Sequence, residues 1–508
     1  MELNHVLEPV PARDWLILAV VFLGVLALIG LSELIRRTLG WPTEFTRKLV
    51  HILVGVLMFF APILLTTSLP MVVIGSFFTL SNWIALRQGW LKGMHGARVS
   101  YGTVFYPLSF TVLVLLCWPD HVAIIIAAML VLALGDAAAA IVGETIAHPQ
   151  EYVLIGERKS LEGSATMFVV TAAVVLAVLH FYPYNGTMTP LALGESALYA
   201  VLVAVLTTAA EALGRRGNDN LTVPLTTALV LFFLLTHDGD AIRQFTTGVG
   251  LAGMAAIVSW RVGFLAPSGA VALLLLASVI FGFGGWAWTV PILTFFILSS
   301  ILSRVGRRVK ARYDQVFEKG SRRDAYQVLA NGGIPGALMI LHMFTGAEMH
   351  YIYYLAALAA ATADTWATEI GTMAGQRPRL ITSMQPVEPG RSGGITPIGL
   401  LGAALGAIVL TASGMPFLPA GTQFLPVGAV IVAAGFAASL VDSAMGATVQ
   451  VQYRCRSCAA ITERAVHCDG TTEIASGFAW INNDAVNFIS IIVAPLAAHA
   501  GALLLHPA

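Results

Sequence analysis

The chain has 508 residues, of which 57% are hydrophobic and only 11% are charged. Soluble domains carry about 25% charged residues, so this composition excludes an ordinary soluble enzyme and indicates an integral membrane protein. The formal net charge is zero, which gives no basis for binding nucleic acid.

Apolar segments recur along the chain at a length that suits a membrane-spanning helix. About 20 consecutive apolar residues are needed to cross the hydrocarbon core. About sixteen segments have this length, and they begin near residues 15, 49, 69, 100, 121, 165, 195, 221, 241, 268, 288, 329, 352, 395, 424 and 485. The sequence therefore predicts an all-α, polytopic membrane protein of about sixteen helices.

Positive charge lies almost entirely in alternate gaps between these segments, and only Arg13 and Arg243 break the pattern. The positive-inside rule places the basic gaps in the cytoplasm, and an even number of helices then places both termini outside. Glu2 and Glu8 precede the first span without a basic region, so neither a signal peptide nor a transit peptide is predicted. We expect a multi-pass protein of a prokaryotic plasma membrane, with its active sites facing the cytoplasm.

The segment RKLVH (47–51) opens the second predicted helix at the cytoplasmic face. Arg47, Lys48 and His51 share one helix face because they are spaced by three and four residues. This trio is a candidate phosphate contact. Taken alone, it is more typical of interfacial cations that extend toward lipid head groups.

Acidic residues inside apolar segments are a stronger signal, because each costs at least about 2.5 kcal/mol on insertion scales. Asp136 lies among alanines in LGDAAAA, and such small neighbours let a ligand approach closely. An aspartate there suits Mg²⁺, which takes one or two carboxylates plus substrate phosphates. Glu211 lies near the inner end of a later helix, and a polar cluster follows it: Asn218, Asp219 and Asn220.

The loop GERKSLEGS (156–164) has the groups that a phosphate site requires. Arg158 and Lys159 supply positive charge, Ser160 supplies a hydroxyl and Glu162 a carboxylate. Gly163 permits a tight approach at the start of a helix, whose N-terminus favours anions. The stretch alone is also consistent with a solvated basic loop. It is not a Walker A motif, since GxxxxGK[ST] is absent from the sequence.

The first half resembles the phytol kinase and dolichol kinase family over roughly residues 30–236. The segments that carry the resemblance are RKLVH, LGDAAAAIVG, GERKSLEGSATMF and E…GNDNLTVP. Members of that family are integral membrane enzymes that use CTP to phosphorylate long isoprenoid alcohols. The resemblance implies a kinase that uses Mg²⁺ and CTP or another nucleoside triphosphate, with Asp136, Lys159 and Glu162 as catalytic residues.

The second half has a comparable set of polar groups. ADTWATEIG contains Asp364 and Glu369, which lie about 140° apart on a regular helix and share a metal only if the helix is broken or the ligand is large. Asp442 lies near the inner end of a later span. The loop EPGRSGGIT repeats the arrangement of cation, hydroxyl and glycine. The remaining candidate binding residues of this half are Lys319, Asn331, Arg391, Ser392, Gly393, Asn483 and Asn487.

These groups recur in the same order and helix direction in both halves, with an offset of eight helices. We therefore expect two tandem eight-helix units in parallel orientation, with domains at 1–240 and 241–508. Chance recurrence of small polar residues is the alternative.

The loop YRCRSCAAITERAVHC (453–468) interrupts the second unit. Cys455, Cys458, His467 and Cys468 are the ligand types of a structural zinc site. Reduced, unliganded thiols are the alternative, since cytosolic cysteines stay reduced. Cys117 is predicted to be a buried packing residue.

Roughly residues 245–505 resemble the membrane family that includes plant phytyl-phosphate kinase. The matching segments are KGSRRDAYQVLANGG, ADTWATEIG, GRSGGITPIGLLGA, DSAMGATVQ and NNDAVNF. The two resemblances together imply a lipid kinase that converts a polyprenol-type alcohol such as phytol or geranylgeraniol to its monophosphate and then its diphosphate. Its partners would be nucleotide, isoprenoid substrate and membrane lipids, with Mg²⁺ bound at Asp136 and Asp364.

Two other functions remain open from the sequence. A cytidylyltransferase also joins CTP to a membrane lipid, but it releases pyrophosphate. A non-enzymatic transporter would have duplicated halves and intramembrane acids, although transporter sites lie near the midplane.

Overall fold

A computed structural model describes residues 3–41, 43–89, 100–182, 191–310, 322–468 and 470–505. Helices account for most of these residues, because a segment in hydrocarbon must satisfy each backbone N–H and C=O group internally. The chain divides into two compact units, Met1–Ile242 and Arg243–Ala508. The assignment of a different kinase type to each half stays a prediction.

The first unit is built from helices and one hairpin. After a short 3₁₀ helix (Leu3–Val6), its helices are α1 (Ala12–Leu39), α2 (Thr43–Leu64), α3 (Leu69–Gln88), α4 (Gly102–Cys117), α5 (Val122–Thr145), α6 (Leu161–Phe181), α7 (Leu193–Ala212) and α8 (Asp219–Thr236). Strands β1 (Glu151–Val153) and β2 (Arg158–Ser160) form an antiparallel hairpin between α5 and α6. Helix α9 (Gly239–Val262) spans the division between the units.

Helix α5 is the centre of the first unit and packs against α2, α4, α6 and α8. Its residues 123–129 are almost completely buried. The turn Val131–Asp136 is π-helical, and α-helical geometry resumes at Ala137. Such turns occur mostly as single π-bulges within α-helices. Asp136 thus lies at the irregular point of the most enclosed helix of this unit.

The second unit continues with longer helices and several short strands. Its helices are α10 (Pro267–Lys310), α11 (Ala325–Thr345), α12 (Met349–Met373), α13 (Pro397–Gly414), α14 (Phe424–Thr448) and α15 (Asn483–Leu505), with a 3₁₀ turn at Met415–Phe417. Its strands are β3 (Arg379–Leu380), β4 (Gly394–Ile395), β5 (Gln452–Arg454), β6 (Ile461–Thr462), β7 (Val466–His467), β8 (Gly470–Thr471) and β9 (Glu473–Ser476). They form the pairs β3–β4 and β7–β8 and a three-stranded sheet in the order β6-β5-β9.

Helix α12 is the centre of the second unit and packs against α10, α11, α13, α14 and α15. Residues 356–361, five of them alanine, are at most 2% exposed. Gly402 and Gly406 of α13 face this helix so closely that an added Cβ would lie 3.0 Å from Trp366 O and 3.1 Å from Thr362 O. Small residues at helix contacts are the usual basis of close packing in membranes.

The predicted fold class, an all-α polytopic membrane protein, is confirmed. Among the described residues, 12 helices are long and apolar enough to cross a membrane, and the stretches Lys48–Leu64 and Gly102–Cys117 are shorter apolar helices. Helix α10 has 44 residues and is broken at Gly285, where two spans beginning near 268 and 288 were predicted. One span needs about 20 residues. The count of sixteen stays a prediction.

Candidate functional site

The β1–β2 hairpin separates the two basic residues of the GERKSLEGS loop. Successive side chains of a strand point to opposite faces. The Arg158 side chain is 77% exposed and lies 3.7 Å from the Glu151 carboxylate, whereas the Lys159 side chain is 14% exposed. Lys159 is therefore the cation of this loop that enters the unit, and Arg158 faces outward.

Lys159 lies among carboxylates from two other elements. Its Nζ donates to the Glu211 carboxylate and backbone carbonyl at the end of α7, and it lies 3.9 Å from Asp219 Oδ2 at the start of α8. Burial by itself lowers the pKa of Lys159. The carboxylates of Glu211 and Asp219 outweigh that effect and hold the pKa above its usual value, so the ammonium form is stabilised.

Asp136 belongs to the same group of side chains. It interacts electrostatically with Asp219, Glu211 and Lys159, and also with Lys48 from α2. We call Asp136, Lys159, Glu211 and Asp219 the first cluster. It brings together one cation and three carboxylates from four separate elements, and all four are among the predicted site residues.

Other predicted residues of the first unit make hydrogen bonds to groups outside this cluster. Both Glu162 carboxylate oxygens accept from Gln150 N at 3.1 Å, so Glu162 closes the base of the hairpin. Lys48 Nζ donates to Glu144 Oε2 at 2.6 Å. His51 Nε2 donates to Leu132 O at 3.1 Å, a carbonyl within the π-helical turn. The Arg47 side chain is not among the described side chains.

The turn at 217–220 orders its own backbone. Asn218 Oδ1 accepts from Arg215 N at 2.5 Å, and Asn220 Nδ2 donates to Gly217 O at 3.3 Å. Gly217 has φ +84°, and a Cβ there would lie 2.4 Å from Gly102 N. Its two asparagines therefore hold a tight turn, which positions Asp219 toward Lys159.

The start of α6 touches α5 just after Asp136. Ser160 Oγ caps α6 by accepting from Gly163 N at 3.1 Å. A Cβ on Gly163 would lie 2.9 Å from Ala139 O, and a Cβ on Gly143 would lie 2.8 Å from Ser160 Oγ. Ala139 and Gly143 follow the aspartate by three and seven residues.

The second unit repeats this contact at the start of α13. Thr396 Oγ1 caps α13 by accepting from Gly399 N at 3.0 Å. A Cβ on Gly399 would lie 3.0 Å from Ala367 O, and a Cβ on Gly371 would lie 3.0 Å from Thr396 Oγ1. Ala367 and Gly371 follow Asp364 at the same two spacings. Each unit thus sets a capped, glycine-bearing helix start against a central helix with an intramembrane aspartate, and the duplication of a whole eight-helix unit stays a prediction.

A cavity of about 770 Å³ lies within the second unit beside this contact. Its walls include nine predicted residues: Asn331, Asp364, Glu369, Arg391, Ser392, Gly393, Asp442, Asn483 and Asn487. Lys319 lies outside the described residues. Drug-sized ligands usually occupy cavities of about 300–1,000 Å³, so this space suits a small molecule or the polar part of a lipid.

Two carboxylates meet in this cavity. The side chains of Asp364 of α12 and Asp442 of α14 interact directly, and Asp442 Oδ2 accepts from Ser490 Oγ at 3.0 Å. The same oxygen pair is a donor set that suits Mg²⁺.

Glu369 lies in a different part of the cavity wall. Helix α12 is unbroken from Asp364 through Glu369, so a metal shared by these two carboxylates would need a large ligand between them. Glu369 Oε1 accepts from Ser303 Oγ at 2.5 Å. Burial lowers the pKa of the Arg323 guanidinium, and the neighbouring Glu369 carboxylate opposes that shift.

The cavity wall also contains residues that were not predicted as site residues: Ser303, Arg323, Gln327, Gln450, Glu463 and Arg464. Glu463 Oε1 accepts from Ser392 Oγ at 2.6 Å and from Gln450 Nε2 at 2.9 Å. Arg323 belongs to the segment KGSRRDAYQVLANGG, which carries part of the resemblance in the second half. Glu463 could have been found only from its position between the two ligand pairs of the cysteine loop.

The four ligand-type residues of that loop converge. One ligand atom from each of Cys455, Cys458, His467 and Cys468 lies within 4.8 Å of all the others. The backbone N–H of Cys458 and the side chain of His467 lower the pKa of the Cys455 thiol to about 6. Cys117 is buried in α4.

These features define a polytopic integral membrane protein with polar groups enclosed at the ends of its central helices. The integral membrane protein family DUF92 matches residues 250–495. Protein PGR of Arabidopsis thaliana is 31% identical over 279 residues, which is 48% of this chain and 91% of that protein. Phytol kinase of Synechocystis is 35% identical over 218 residues, which is 42% of this chain and 88% of that protein.

This chain belongs to the phytol kinase family of integral membrane proteins. Protein VTE6 of Arabidopsis thaliana, a chloroplastic protein, is 25% identical over 239 residues, covering 46% of this chain and 64% of that protein. No solved structure matches the chain.

Proposed function

We propose that this protein is a membrane lipid kinase that phosphorylates a long-chain isoprenoid alcohol of the phytol or geranylgeraniol type. It makes the monophosphate in the first unit and the diphosphate in the second, with CTP or another nucleoside triphosphate as donor. The observation that carries the proposal is the recurrence, in both units, of an intramembrane aspartate beside a capped, glycine-bearing helix start. The kinship with phytol kinase of Synechocystis supports the choice of reaction.

The first cluster suits phosphoryl transfer because that reaction depends mainly on positioning and charge compensation. The lipid hydroxyl oxygen attacks the terminal phosphorus, the bond to the bridging oxygen breaks, and the nucleoside diphosphate leaves. The hydroxyl proton passes to a carboxylate of the cluster. Lys159 holds the transferring group, while its ion pairs with Glu211 and Asp219 keep it protonated and in place.

Mg²⁺ fits the oxygen donors of both units. It commonly binds one or two carboxylates together with substrate phosphates, and Asp136 and Asp364 are the residues that would hold it. When bound, it neutralises negative charge on the phosphates. In the second unit, Arg323 and Arg391 would face the anionic monophosphate across the cavity, and Asp442 would orient Asp364.

The proposed location follows from charge. Basic residues flank the segments that contain both sets of carboxylates, and the positive-inside rule places such segments at the cytoplasmic face. There the nucleotide is available, while the isoprenoid tail remains in the bilayer. We place the protein in a plasma membrane with both termini outside.

The test uses purified full-length protein in liposomes with γ-labelled CTP and phytol or geranylgeraniol. We expect label in the lipid monophosphate first and in the diphosphate later, with release of CDP. Label found in pyrophosphate, with the cytidylyl group on the lipid, would identify a cytidylyltransferase instead. Movement of lipid or ions without nucleotide, and without phosphorylated product, would identify a transporter. Either outcome would overturn the proposal.

A further inference from the structure

The loop between α14 and α15 contains a cluster of four residues of metal-ligand type, three cysteines and one histidine. Cys455 and Cys458 lie at the end of β5 and in the turn after it, while His467 and Cys468 lie at the end of β7 and in its turn. The two pairs come from separate short hairpins. The distances between them decide whether they form a metal site.

Three of the distances between ligand atoms are close to those of a tetrahedron around one zinc ion, and Cys455 Sγ lies within 4.8 Å of the other three ligand atoms. Zinc bonds of about 2.3 Å to sulfur and 2.0 Å to nitrogen imply edges of about 3.8 Å between sulfurs and about 3.5 Å between sulfur and nitrogen. Cys458 Sγ and Cys468 Sγ are 3.8 Å apart, and His467 Nδ1 lies 3.6 Å from Cys458 Sγ and 3.2 Å from Cys468 Sγ. Adjacent His467 and Cys468 therefore do turn toward one point, in spite of their direct succession in the chain.

The turns are shaped for this convergence. Cys468 itself has φ +50°, a backbone conformation that ordinary residues rarely adopt. It lets two successive side chains point to the same side. Ala459, directly after Cys458, has φ +59° and donates its N–H to Cys455 O at 3.0 Å. Positive φ thus occurs at each ligand pair, and a bound ion would offset the strain by cross-linking the loop.

The loop also needs a cross-link for its own stability. Its strands β5 to β9 have only two to four residues each, and Val466 and Ile474 are exposed. Segments of this size cannot bury enough apolar surface to fold unaided, and a structural metal commonly supplies the missing free energy.

We propose that Cys455, Cys458, His467 and Cys468 bind one structural Zn²⁺, with His467 as an Nδ1 ligand. Four protein ligands leave no open position, so the ion is structural and not catalytic. The residues between the ligand pairs include Glu463, which accepts hydrogen bonds from Ser392 and Gln450 in the cavity wall. The ion thus fixes the loop that places Glu463 at the cavity.

The experiment measures metal content, so it stands apart from the kinase proposal. Full-length protein, purified in detergent under reducing conditions, is analysed by mass spectrometry for zinc. We expect about one zinc per chain, and its loss in the double variant Cys455→Ser/Cys458→Ser. Cys117→Ser is the matched control and should retain zinc, because Cys117 lies in α4 of the other unit. Glu463→Gln should also retain zinc, because Glu463 is not a ligand.

A second measurement uses the wild-type protein, in case the double variant fails to fold. Cys458 and Cys468 are exposed, so unliganded thiols there should react with a maleimide at once. We expect slow labelling of the zinc-loaded protein and at least tenfold faster labelling after chelation. Purified protein that stays free of zinc after zinc is added would overturn the proposal. So would equal labelling rates with and without chelator, or full zinc content in the double variant.

Discussion

The two units place the same local scaffold around different charges. In the first unit the residue before the helix cap is Lys159, and its ammonium lies among the carboxylates of the cluster. At the corresponding position the second unit has Ile395, and the side chains of its Asp364 and Asp442 interact directly. In the first unit a lysine lies directly among the carboxylates, whereas in the second unit the cations of the cavity wall include Arg323 and Arg391.

This difference shows that the scaffold and the chemistry are separable. The close contact between the helix start and the central helix depends on glycine and a capping hydroxyl, which both units keep. The charged groups come from positions that can vary without disturbing that contact. Two successive reactions on one lipid, first on a neutral alcohol and then on an anionic phosphate, would call for such a variation.

The largest expected effect separates the two reactions. Asp136→Asn should lower phosphorylation of the alcohol on the order of 10²-fold or more, yet leave conversion of added monophosphate intact. Asp364→Asn should do the reverse, so that monophosphate accumulates. The measurement is product analysis with labelled nucleotide. If one substitution abolished both reactions in a folded protein, the division of labour between units would be wrong.

The next effect concerns the buried cation. Lys159→Met leaves Glu211 and Asp219 without their counter-charge, and breaking a buried ion pair in this way costs about 3–5 kcal/mol. Thermal unfolding in detergent should show a clear loss of stability. Arg158→Met is the matched control, one residue away and facing outward, and it should leave the unfolding temperature nearly unchanged. Equal effects of the two substitutions would contradict the placement of Lys159.

A smaller effect tests the shared helix contact. Gly163→Ala and Gly399→Ala each bring a Cβ to about 3 Å from a backbone carbonyl oxygen, and such overpacking costs about 1–3 kcal/mol. Gly194→Ala and Gly333→Ala are controls in the same two units, because an added Cβ there meets nothing within 4 Å. Those changes should be neutral or slightly stabilising. Thermal unfolding distinguishes the pairs, and a destabilising effect in one unit alone would break the proposed equivalence.

The smallest effect concerns the caps. Ser160→Ala and Thr396→Ala each remove the acceptor for a glycine N–H at a helix start, which costs about 1 kcal/mol. Thr396→Ser keeps the hydroxyl and should retain most of the stability. Retention of full stability by both alanine variants would show that the caps contribute little in this membrane setting.

The intramembrane acidic residues and the apolar helices could be predicted from the sequence, because each has a strong physical signal. Asp136, Asp364 and Asp442 stand out because an acidic group in an apolar span is energetically costly and usually has a function. The helices themselves follow from the length of hydrocarbon that each must cross.

Other features depend on contacts that no local pattern encodes. Strand β2 has three residues, too few to reveal which of Arg158 and Lys159 faces inward. Glu463 lies in a polar loop where an acidic residue is unremarkable, and only folding brings it to Ser392 and Gln450. The close approach of Gly163 to Ala139 likewise depends on how two helices pack.

The π-helical turn before Asp136 bears on the history of the two units. Such a turn contains one residue more than the α-helical turn it replaces, and His51 donates to the carbonyl of Leu132 within it. Helix α12 is regular before Asp364. If the two units arose by tandem duplication, a one-residue insertion in the first copy or a deletion in the second would leave this trace. The two copies would then align without a gap after the aspartate and one residue out of step before it.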